Sequence, residues 1–194
     1  MNYLYLLILV FISGPLTGQK TSAEFGLGIG NVLEAEHKGG KGLLSLGGYL
    51  ELNENTSIGL EAGTGGNLFP VDNATITVQN TEILSPYSTK LHVVSSKIRR
   101  TFEASFGDLY VSIGVGAANY AFNVHARERK TVSSWNMIGT AETGVLLKNN
   151  LIVSLKYLSP GKTPRFEGLN TNDVLVTLEE KSVSFIYFNL GFRF

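Results

Sequence analysis

Cysteine is absent from the 194-residue sequence, which excludes disulfide scaffolds, cysteine-ligated zinc, iron–sulfur clusters and thiol nucleophiles. An excess of either charge is absent too, because 16 Lys and Arg residues balance 16 Asp and Glu residues. A neutral chain has no global field that attracts polyanions, so we expect no nucleic-acid partner. Charged residues make up only 16% of the chain, against roughly 25% in an average soluble domain, and glycine reaches 22 residues. This composition is too apolar and too rich in glycine for an ordinary cytosolic domain.

Long apolar runs are missing apart from one short run at the start. It covers Tyr3–Ile12 and is followed by a Ser-Gly-Pro sequence. Its length is half of the ~20 residues that a membrane-spanning helix needs, and it matches the apolar segment of a secretory signal peptide. We therefore expect residues 1–19 to be a signal peptide and residues 20–194 to form one exported domain. After the signal peptide the sequence predicts no transmembrane helix.

The rest of the chain alternates apolar and polar residues with a period of two, which predicts β-strands. The last segment shows the pattern most clearly, because every second residue from Ile186 to Phe194 is apolar. Similar segments recur along the chain, each with one apolar face and one face of small or polar residues. The predicted strands cover roughly residues 23–36, 42–53, 56–68, 87–105, 109–124, 132–147, 151–159 and 179–194.

The less apolar face decides between a soluble β-protein and a membrane barrel. It mixes glycines with charges of both signs at the middle of strands, where a soluble protein would not place them. A narrow barrel interior needs small residues and charges that satisfy one another. The fold prediction is therefore an all-β, eight-stranded antiparallel up-and-down transmembrane β-barrel preceded by a signal peptide. The predicted interior charge network, with a structural role, consists of Glu51, Glu61, Lys97, Arg99, Glu103, Glu142, Lys156 and Arg193.

The lengths of the links between strands support this prediction, because outer-membrane barrels alternate short periplasmic turns with longer outside loops. Short links are predicted at 53–55, 106–108 and 148–150. Longer links are predicted at 37–41, 69–86, 125–130 and 160–178. All four prolines after the signal peptide fall in the links 69–86 and 160–178, and none falls in a predicted strand, as a continuous hydrogen-bonded ladder requires.

The eight alternating strands and the terminal sequence YFNLGFRF resemble the small outer-membrane β-barrel family, the OmpX/OmpA-type barrels of Gram-negative bacteria. The GFRF ending is similar to those of Bacteroidota members. The resemblance implies a place in the outer membrane, contact with outer-membrane lipid and recognition by the outer-membrane assembly machinery. The implied assembly signal is Phe188, Leu190, Phe192 and Phe194. In the common signal a glycine stands five residues before the end, whereas Asn189 holds that position here and the glycine is Gly191.

Several other motifs do not indicate a cofactor or a metal. The FGLGIGN segment lacks the spacing of a dinucleotide fingerprint, and KGGKG lacks the Ser or Thr of a phosphate loop. His37, His92 and His125 have neither helical pairing nor a shared local site. We therefore expect no metal and no cofactor.

Two alternative functions remain. Some eight-stranded barrels modify lipid A with a His and a Ser aimed at the bilayer, and His92 with Ser95 or Ser96 provides those residue types, as does His125 with Ser133 or Ser134. The other alternative is a narrow channel or a lateral route for small apolar solutes, although eight strands enclose a lumen just wide enough for side chains to fill.

The main hypothesis is a non-enzymatic, monomeric barrel with an envelope-structural role, a surface-binding role, or both. The segment 87–105 is about twice as long as the 9–11 residues that span a membrane. ATITVQ and VLVTLEEKSVS also alternate. The second, third, fourth and eighth strands are therefore predicted to extend outside as a protruding sheet. That sheet and the links 69–86 and 160–178 would bind a surface protein or a host ligand.

Overall fold

The computed structural model describes most of the predicted exported domain. The described residues are 20–32, 41–67, 74–78, 81–85, 87–125, 129–162, 165–169, 175–178, 180 and 182–194. The expected signal peptide and His37 lie outside them. In this part of the chain no helix has the length and apolar character needed to cross a membrane.

The described residues form β-strands joined by turns and links. The strands are β1 (Thr21–Val32), β2 (Lys41–Asn53), β3 (Thr56–Asn67), β4 (Ala74–Val78), β5 (Thr81–Ser85), β6 (Tyr87–Ala104), β7 (Gly107–His125), β8 (Arg129–Leu147), β9 (Leu151–Lys162), β10 (Phe166–Leu169), β11 (Leu175–Leu178) and β12 (Ser182–Arg193).

Eight of these strands close a barrel in which neighbours are antiparallel. The order around the barrel is β1, β2, β3, β6, β7, β8, β9 and β12, and β12 pairs with β1 to complete the ring. Strands that follow one another in the barrel are therefore also neighbours in space. The predicted eight-stranded up-and-down barrel is confirmed.

Three tight turns lie at one end of the barrel, after β2, β6 and β8. In the first, the Asn53 side chain accepts a hydrogen bond of 3.0 Å from the Asn55 backbone N–H. In the third, Asn150 has φ 66°, a left-handed conformation that asparagine tolerates better than most residues. Short turns face the periplasm in barrels of this kind. The end with the tight turns is therefore the periplasmic end, and the longer links lie at the extracellular end.

The outward face of the barrel is apolar on every strand. Its exposed large side chains include Phe25, Leu27, Ile29, Leu44, Leu46, Ile58, Leu60, Val94, Ile98, Val111, Ile113, Val115, Met137, Leu155, Phe188, Leu190 and Phe192. Water would solvate such a surface poorly, whereas the hydrocarbon core of a bilayer matches it. The closed ring also leaves no unpaired strand edge at the level of the tight turns, as lipid requires.

The inward face is layered along the barrel axis. Charged and hydroxyl side chains fill the middle, and a small apolar cluster of Tyr110, Leu146 and Ile152 lies towards the turns. The extracellular half holds a larger apolar cluster, formed by Leu43, Leu91, Val93, Ala118, Tyr120, Ile138, Leu158, Val183, Phe185 and Tyr187. The expectation that the inner face is small or polar throughout is therefore correct only for the middle layer.

Inward-facing glycines make room for large side chains on neighbouring strands. A Cβ on Gly59 would lie 2.6 Å from a ring carbon of Tyr49, and a Cβ on Gly30 would lie 2.9 Å from Cγ of Tyr187. Real Cβ atoms do not approach ring carbons so closely. The high glycine content therefore serves the packing of a narrow interior.

The long strands differ from the prediction. β6, β7 and β8 have 18, 19 and 19 residues, whereas the other barrel strands have 12 or 13. The prediction that the second, third and eighth strands also extend outside is wrong. The alternating segments around residues 74–85 and 166–178 instead pair locally, as the hairpins β4–β5 and β10–β11. Local pairing closes a shorter loop than pairing with a distant barrel strand, so it costs less entropy.

Pro160 is a second correction, because it lies within β9 and not in a loop. Its position is irregular: Ser159 and Pro160 stand opposite the single residue Ser184 of β12. Such a β-bulge leaves one residue without ladder pairing, and proline tolerates that position because it has no N–H to donate. The other three prolines lie outside the described residues.

Candidate functional site

A cluster of four charged residues occupies the centre of the barrel. The Lys97 ammonium lies 2.7 Å from a Glu61 carboxylate oxygen and 2.9 Å from a Glu142 carboxylate oxygen. Lys156 approaches from another wall and lies 2.9 Å from Glu61. All four side chains are buried. Two carboxylates and two ammonium groups therefore neutralise one another where neither charge would be stable alone.

Glu142 also accepts two neutral hydrogen bonds. The Tyr110 hydroxyl and the Ser154 hydroxyl each donate to the same oxygen of Glu142, both at 2.8 Å. The other oxygen faces Lys97. Both oxygens of this buried carboxylate are therefore satisfied, which is what allows a charged group to remain in the interior.

A second ionic cluster lies around Glu24. Arg99, which is 0% exposed, donates two hydrogen bonds to the Glu24 carboxylate, at 2.5 and 2.8 Å. Its guanidinium is sandwiched between two aromatic rings, 4.0 Å from the Tyr49 centroid and 4.1 Å from the Tyr110 centroid. Arg193 donates to Glu24 as well, at 2.8 Å. The arginine is thus held by a bidentate ion pair and by cation–π contacts.

The predicted interior residues divide into three groups. Glu61, Lys97, Glu142 and Lys156 meet in the central cluster, and Arg99 and Arg193 meet at Glu24. Glu51 and Glu103 lie on inward-facing positions near the turns, outside both clusters. Glu103 is exposed, and its register partner is Asp108, another acid.

Glu24 is the functional residue that the sequence reasoning missed. It stands two residues before Gly26 on β1, and therefore on the same inward face as Gly26. The alternation of side chains along the strand would alone have placed it inside the barrel. The sandwiching tyrosines were missed because a tyrosine fits either face of a membrane strand.

Side chains of the described residues fill the interior at two levels. Tyr120, Phe185 and Tyr187 stack across the extracellular half, with ring centroids 5.7 and 6.0 Å apart. Below them, a cavity of about 20 Å³ is lined by residues that include Glu24, Ser45, Glu61, Ser154, Lys156 and Asn189. That volume accommodates about one water molecule. In this part of the interior, packed side chains and ion pairs leave little free volume.

The seam between β8 and β9 is incomplete. Their register pairs run only from Leu146↔Ile152 to Thr140↔Leu158. Above that level, side chains replace the ladder: the Gly139 N–H donates to Ser159 Oγ, and the Asn136 amide bonds to both the N–H and the carbonyl of Lys162 at 3.0 and 2.9 Å. These contacts satisfy backbone groups that the ladder between β8 and β9 leaves unpaired.

The part of β8 above Asn136 pairs only with β7 among the described residues. That pairing continues to His125↔Arg129, and β7 pairs with β6 up to Tyr87↔Val124. Three strands therefore project beyond the barrel as one sheet, and no described strand pairs with its β8 edge above Thr140. Close to this edge, the Glu180 carboxylate accepts a hydrogen bond from Lys162 at 2.6 Å and so raises the pKa of the Lys162 amino group. The hairpins also meet, because β11 lies against β4.

The predicted pairing of His92 with Ser95 or Ser96 is not assembled as nucleophile and base. Ser95 points into the barrel while His92 points outward, and Ser96 stands four residues from His92 along the same strand, about 13 Å away. The hydroxyl that contacts His92 belongs to Thr64, with Oγ1 3.1 Å from Nδ1. In the second pair, Ser134 donates to the Lys162 carbonyl at 2.8 Å, and the side chain of His125 lies outside the described residues.

Metal ligands are not gathered in the described part of the chain, where no group of three or more His, Asp or Glu residues is arranged to hold an ion.

Comparison with known proteins identifies the architecture. No protein-family model and no curated protein sequence matches the chain. Among solved structures, Neisserial surface protein A of Neisseria superposes with a TM-score of 0.62 at 11% identity, over 91% of this chain and 97% of that chain. Ail, the attachment invasion locus protein of Yersinia pestis, gives a TM-score of 0.52 at 14% identity, over 91% and 97% of the two chains. The chain therefore has the fold of the small eight-stranded outer-membrane β-barrels, and its apolar outer wall places it in the outer membrane.

Proposed function

We propose that the protein is a non-enzymatic surface-binding barrel that pairs with partner proteins along the open edge of β8. The membrane-embedded part is a rigid, sealed support. The three strands β6, β7 and β8 carry the binding surface outside the membrane. The single observation that carries the proposal is the end of β8–β9 pairing at Thr140↔Leu158 while β7–β8 pairing continues to His125↔Arg129.

An open strand edge presents a row of backbone N–H and C=O groups that bind an extended peptide by adding one strand to the sheet. The lower part of the edge is closed by side-chain contacts of Ser159, Asn136 and Ser134. The upper part includes Ser133, whose exposed side chain lies in water. The partner is therefore an extended protein segment at the cell surface.

The barrel itself supports this role by being stiff. Its interior ion pairs link strands on opposite walls, and its lumen is filled. The name of Ail, an attachment and invasion protein with the same fold, is consistent with surface binding. We further propose that the outward Phe188, Leu190, Phe192 and Phe194 serve as the signal for the assembly machinery and that the protein is a monomer.

Proline substitution tests the edge directly. The Gly139 N–H points to β9, so with the alternation of a strand the Ser133 N–H points to the same open side. Ser133→Pro removes that N–H without removing a β7–β8 hydrogen bond, and Ser133→Ala is the matched control that retains it. Cells that display each variant are applied to a panel of immobilised extracellular-matrix proteins and to cultured host cells. We expect wild type and Ser133→Ala to adhere and Ser133→Pro to lose adhesion.

Folding is checked in the same cells, because each variant should be recovered in the outer membrane and should migrate differently in heated and unheated gels. Adhesion of Ser133→Pro at the wild-type level would rule out edge pairing. A companion variant, with residues 69–86 and 160–178 each replaced by a four-residue turn, tests the links. If this variant loses adhesion while Ser133→Pro retains it, binding belongs to the links and not to the edge.

A further inference from the structure

The outward wall carries a polar row at the upper limit of its apolar surface. The row crosses four neighbouring strands in strict register: Thr64 of β3 pairs with His92 of β6, His92 with Asn119 of β7, and Asn119 with Trp135 of β8. On the same faces below the row, the residues are mainly apolar, as in Ala62, Val94 and Ala117. The row therefore marks the height at which the hydrocarbon core of the membrane ends.

Trp135 supports this placement. It is 66% exposed on the outer wall, and tryptophan concentrates at the boundary between hydrocarbon and headgroups. Because the long links lie on this side, the boundary is that of the outer leaflet. The side chains of the row therefore face lipid headgroups and not acyl chains.

The row is organised as a binding surface. The Thr64 hydroxyl contacts Nδ1 of His92 at 3.1 Å, which leaves Nε2 directed away from Thr64. If Thr64 donates this hydrogen bond, the imidazole proton is on Nε2, which can then donate to an acceptor. Asn119 is only 9% exposed although it stands on the outward face, so the neighbouring side chains enclose it.

Lys90 completes the cluster one position above His92. Its register neighbours are Gly66 and Ala121, the smallest side chains available, and they leave space on both sides of the exposed lysine. A lysine at this height extends its ammonium into the headgroup layer. One cation and several hydrogen-bond donors thus converge at the headgroup level.

We infer that Thr64, Lys90, His92 and Trp135 form a site for the phosphorylated headgroup of an outer-leaflet lipid, with Asn119 packed among them. Lys90 and His92 donate to phosphate oxygens, Thr64 fixes the imidazole, and Trp135 packs against the sugar or the upper acyl chain. The site lies on the wall of the barrel, separate from the proposed edge of β8, and its function does not depend on protein binding.

The chain is well suited to a direct test, because Trp135 is its single tryptophan. The full barrel is folded in detergent micelles and titrated with bisphosphorylated lipid A while Trp135 fluorescence is followed. Lipid A without its phosphates and inorganic phosphate are titrated in parallel. We expect saturable binding of the phosphorylated lipid, and at least tenfold weaker binding of the other two ligands.

Lys90→Gln and His92→Gln should each weaken binding of the phosphorylated lipid by about tenfold, and Lys90→Arg should retain it. The matched control is Arg100→Gln, since Arg100 also points outward from β6 but lies near the periplasmic end. Equal binding by wild type and Lys90→Gln would overturn the inference, provided that gel mobility shows both proteins to be folded. Equal affinity for lipid A without phosphates would overturn it as well, and so would saturation by inorganic phosphate alone.

Discussion

Arg193, the next-to-last residue, donates hydrogen bonds of 2.8 and 3.0 Å to Glu24, which lies 169 positions earlier in the chain. The two residues belong to β12 and β1, the strands that close the barrel. The same carboxylate binds Arg99 of β6 from across the lumen. One carboxylate therefore joins three strands, and this contact forms only when the first and last strands meet.

Replacing Glu24 should test how much this junction stabilises the barrel. Glu24→Ala leaves the fully buried Arg99 guanidinium without its anion, so we expect a loss of about 3–5 kcal/mol in the free energy of unfolding. Arg193 is partly exposed, and Arg193→Gln should cost no more than about 1 kcal/mol. Equilibrium unfolding in urea, followed by Trp135 fluorescence, measures both. Equal losses for the two variants would show that Arg99 does not depend on Glu24.

The central cluster leads to a second prediction. Glu142→Ala removes an anion shared by Lys97, Tyr110 and Ser154, and it should lower the free energy of unfolding by about 3–5 kcal/mol if the cluster stabilises the barrel as a unit. Ser112→Ala is the control, because the buried Ser112 hydroxyl has no hydrogen-bond partner among the described residues and should be nearly neutral to lose. A change below about 0.5 kcal/mol for Glu142→Ala would remove the stabilising role of the cluster.

Much of the barrel could be predicted from the sequence because the pleat of a strand forces side chains to alternate. Lipid on one side and a narrow lumen on the other then select different residues, as at Phe188 and Asn189 of β12. The same alternation placed Glu61, Lys97, Glu142 and Lys156 on the inner surface. It does not predict which of these side chains contact one another, because those contacts depend on the register between strands that are far apart in sequence.

Other features depend on the free energies of strand pairing, which the alternation of apolar and polar residues does not reveal. Pro160 looks like a loop residue until the bulge opposite Ser184 is known. ATITV and LVTL have the pattern of barrel strands, but each pairs with its own neighbour because a short hairpin closes at lower entropic cost. Glu103 has the correct parity for the interior and yet is exposed, because β6 ends one residue later at the turn.

A third prediction concerns the fit between glycine and tyrosine. In Gly59→Ala the new methyl group would lie 2.6 Å from a Tyr49 ring carbon, and Tyr49 is held against Arg99. We expect a loss of about 1–3 kcal/mol in the free energy of unfolding. Gly139→Ala should cost less, because the nearest atom to its methyl group would be Ser159 Oγ at 3.3 Å, a longer contact than the one to the Tyr49 ring.

A double-mutant cycle shows whether the ring is the cause. In a Tyr49→Ala background the cost of Gly59→Ala should disappear, since the methyl group then has space. An unchanged cost in that background would assign the effect to the strand backbone and not to the ring.

The proposal that the protein is not an enzyme predicts an unchanged lipid A. The structure separates His92 from Ser95 and Ser96, so it assembles no Ser–His pair there. Mass spectra of lipid A from deletion, wild-type and overexpressing cells should show the same acyl composition. A shift in acyl number that follows expression and vanishes in His92→Gln would instead reveal an enzyme that uses the Thr64–His92 contact.

The last prediction is that the barrel does not conduct. Two independent layers fill its lumen: the stacked Tyr120, Phe185 and Tyr187 in the extracellular half, and the ion clusters below them. A cavity of about 20 Å³ among the ion clusters has room for about one water molecule and not for a hydrated ion. Purified protein in planar bilayers should therefore give no steady conductance steps.

Removing one layer should not change that result. The variant with Tyr120, Phe185 and Tyr187 all replaced by alanine loses the apolar seal but retains the bound charges below, so it should remain closed while becoming less stable. Conductance steps in the wild type would contradict a sealed interior. Steps that arise only in the triple variant would show that the aromatic stack alone forms the barrier and that the ion clusters, although buried, let ions pass.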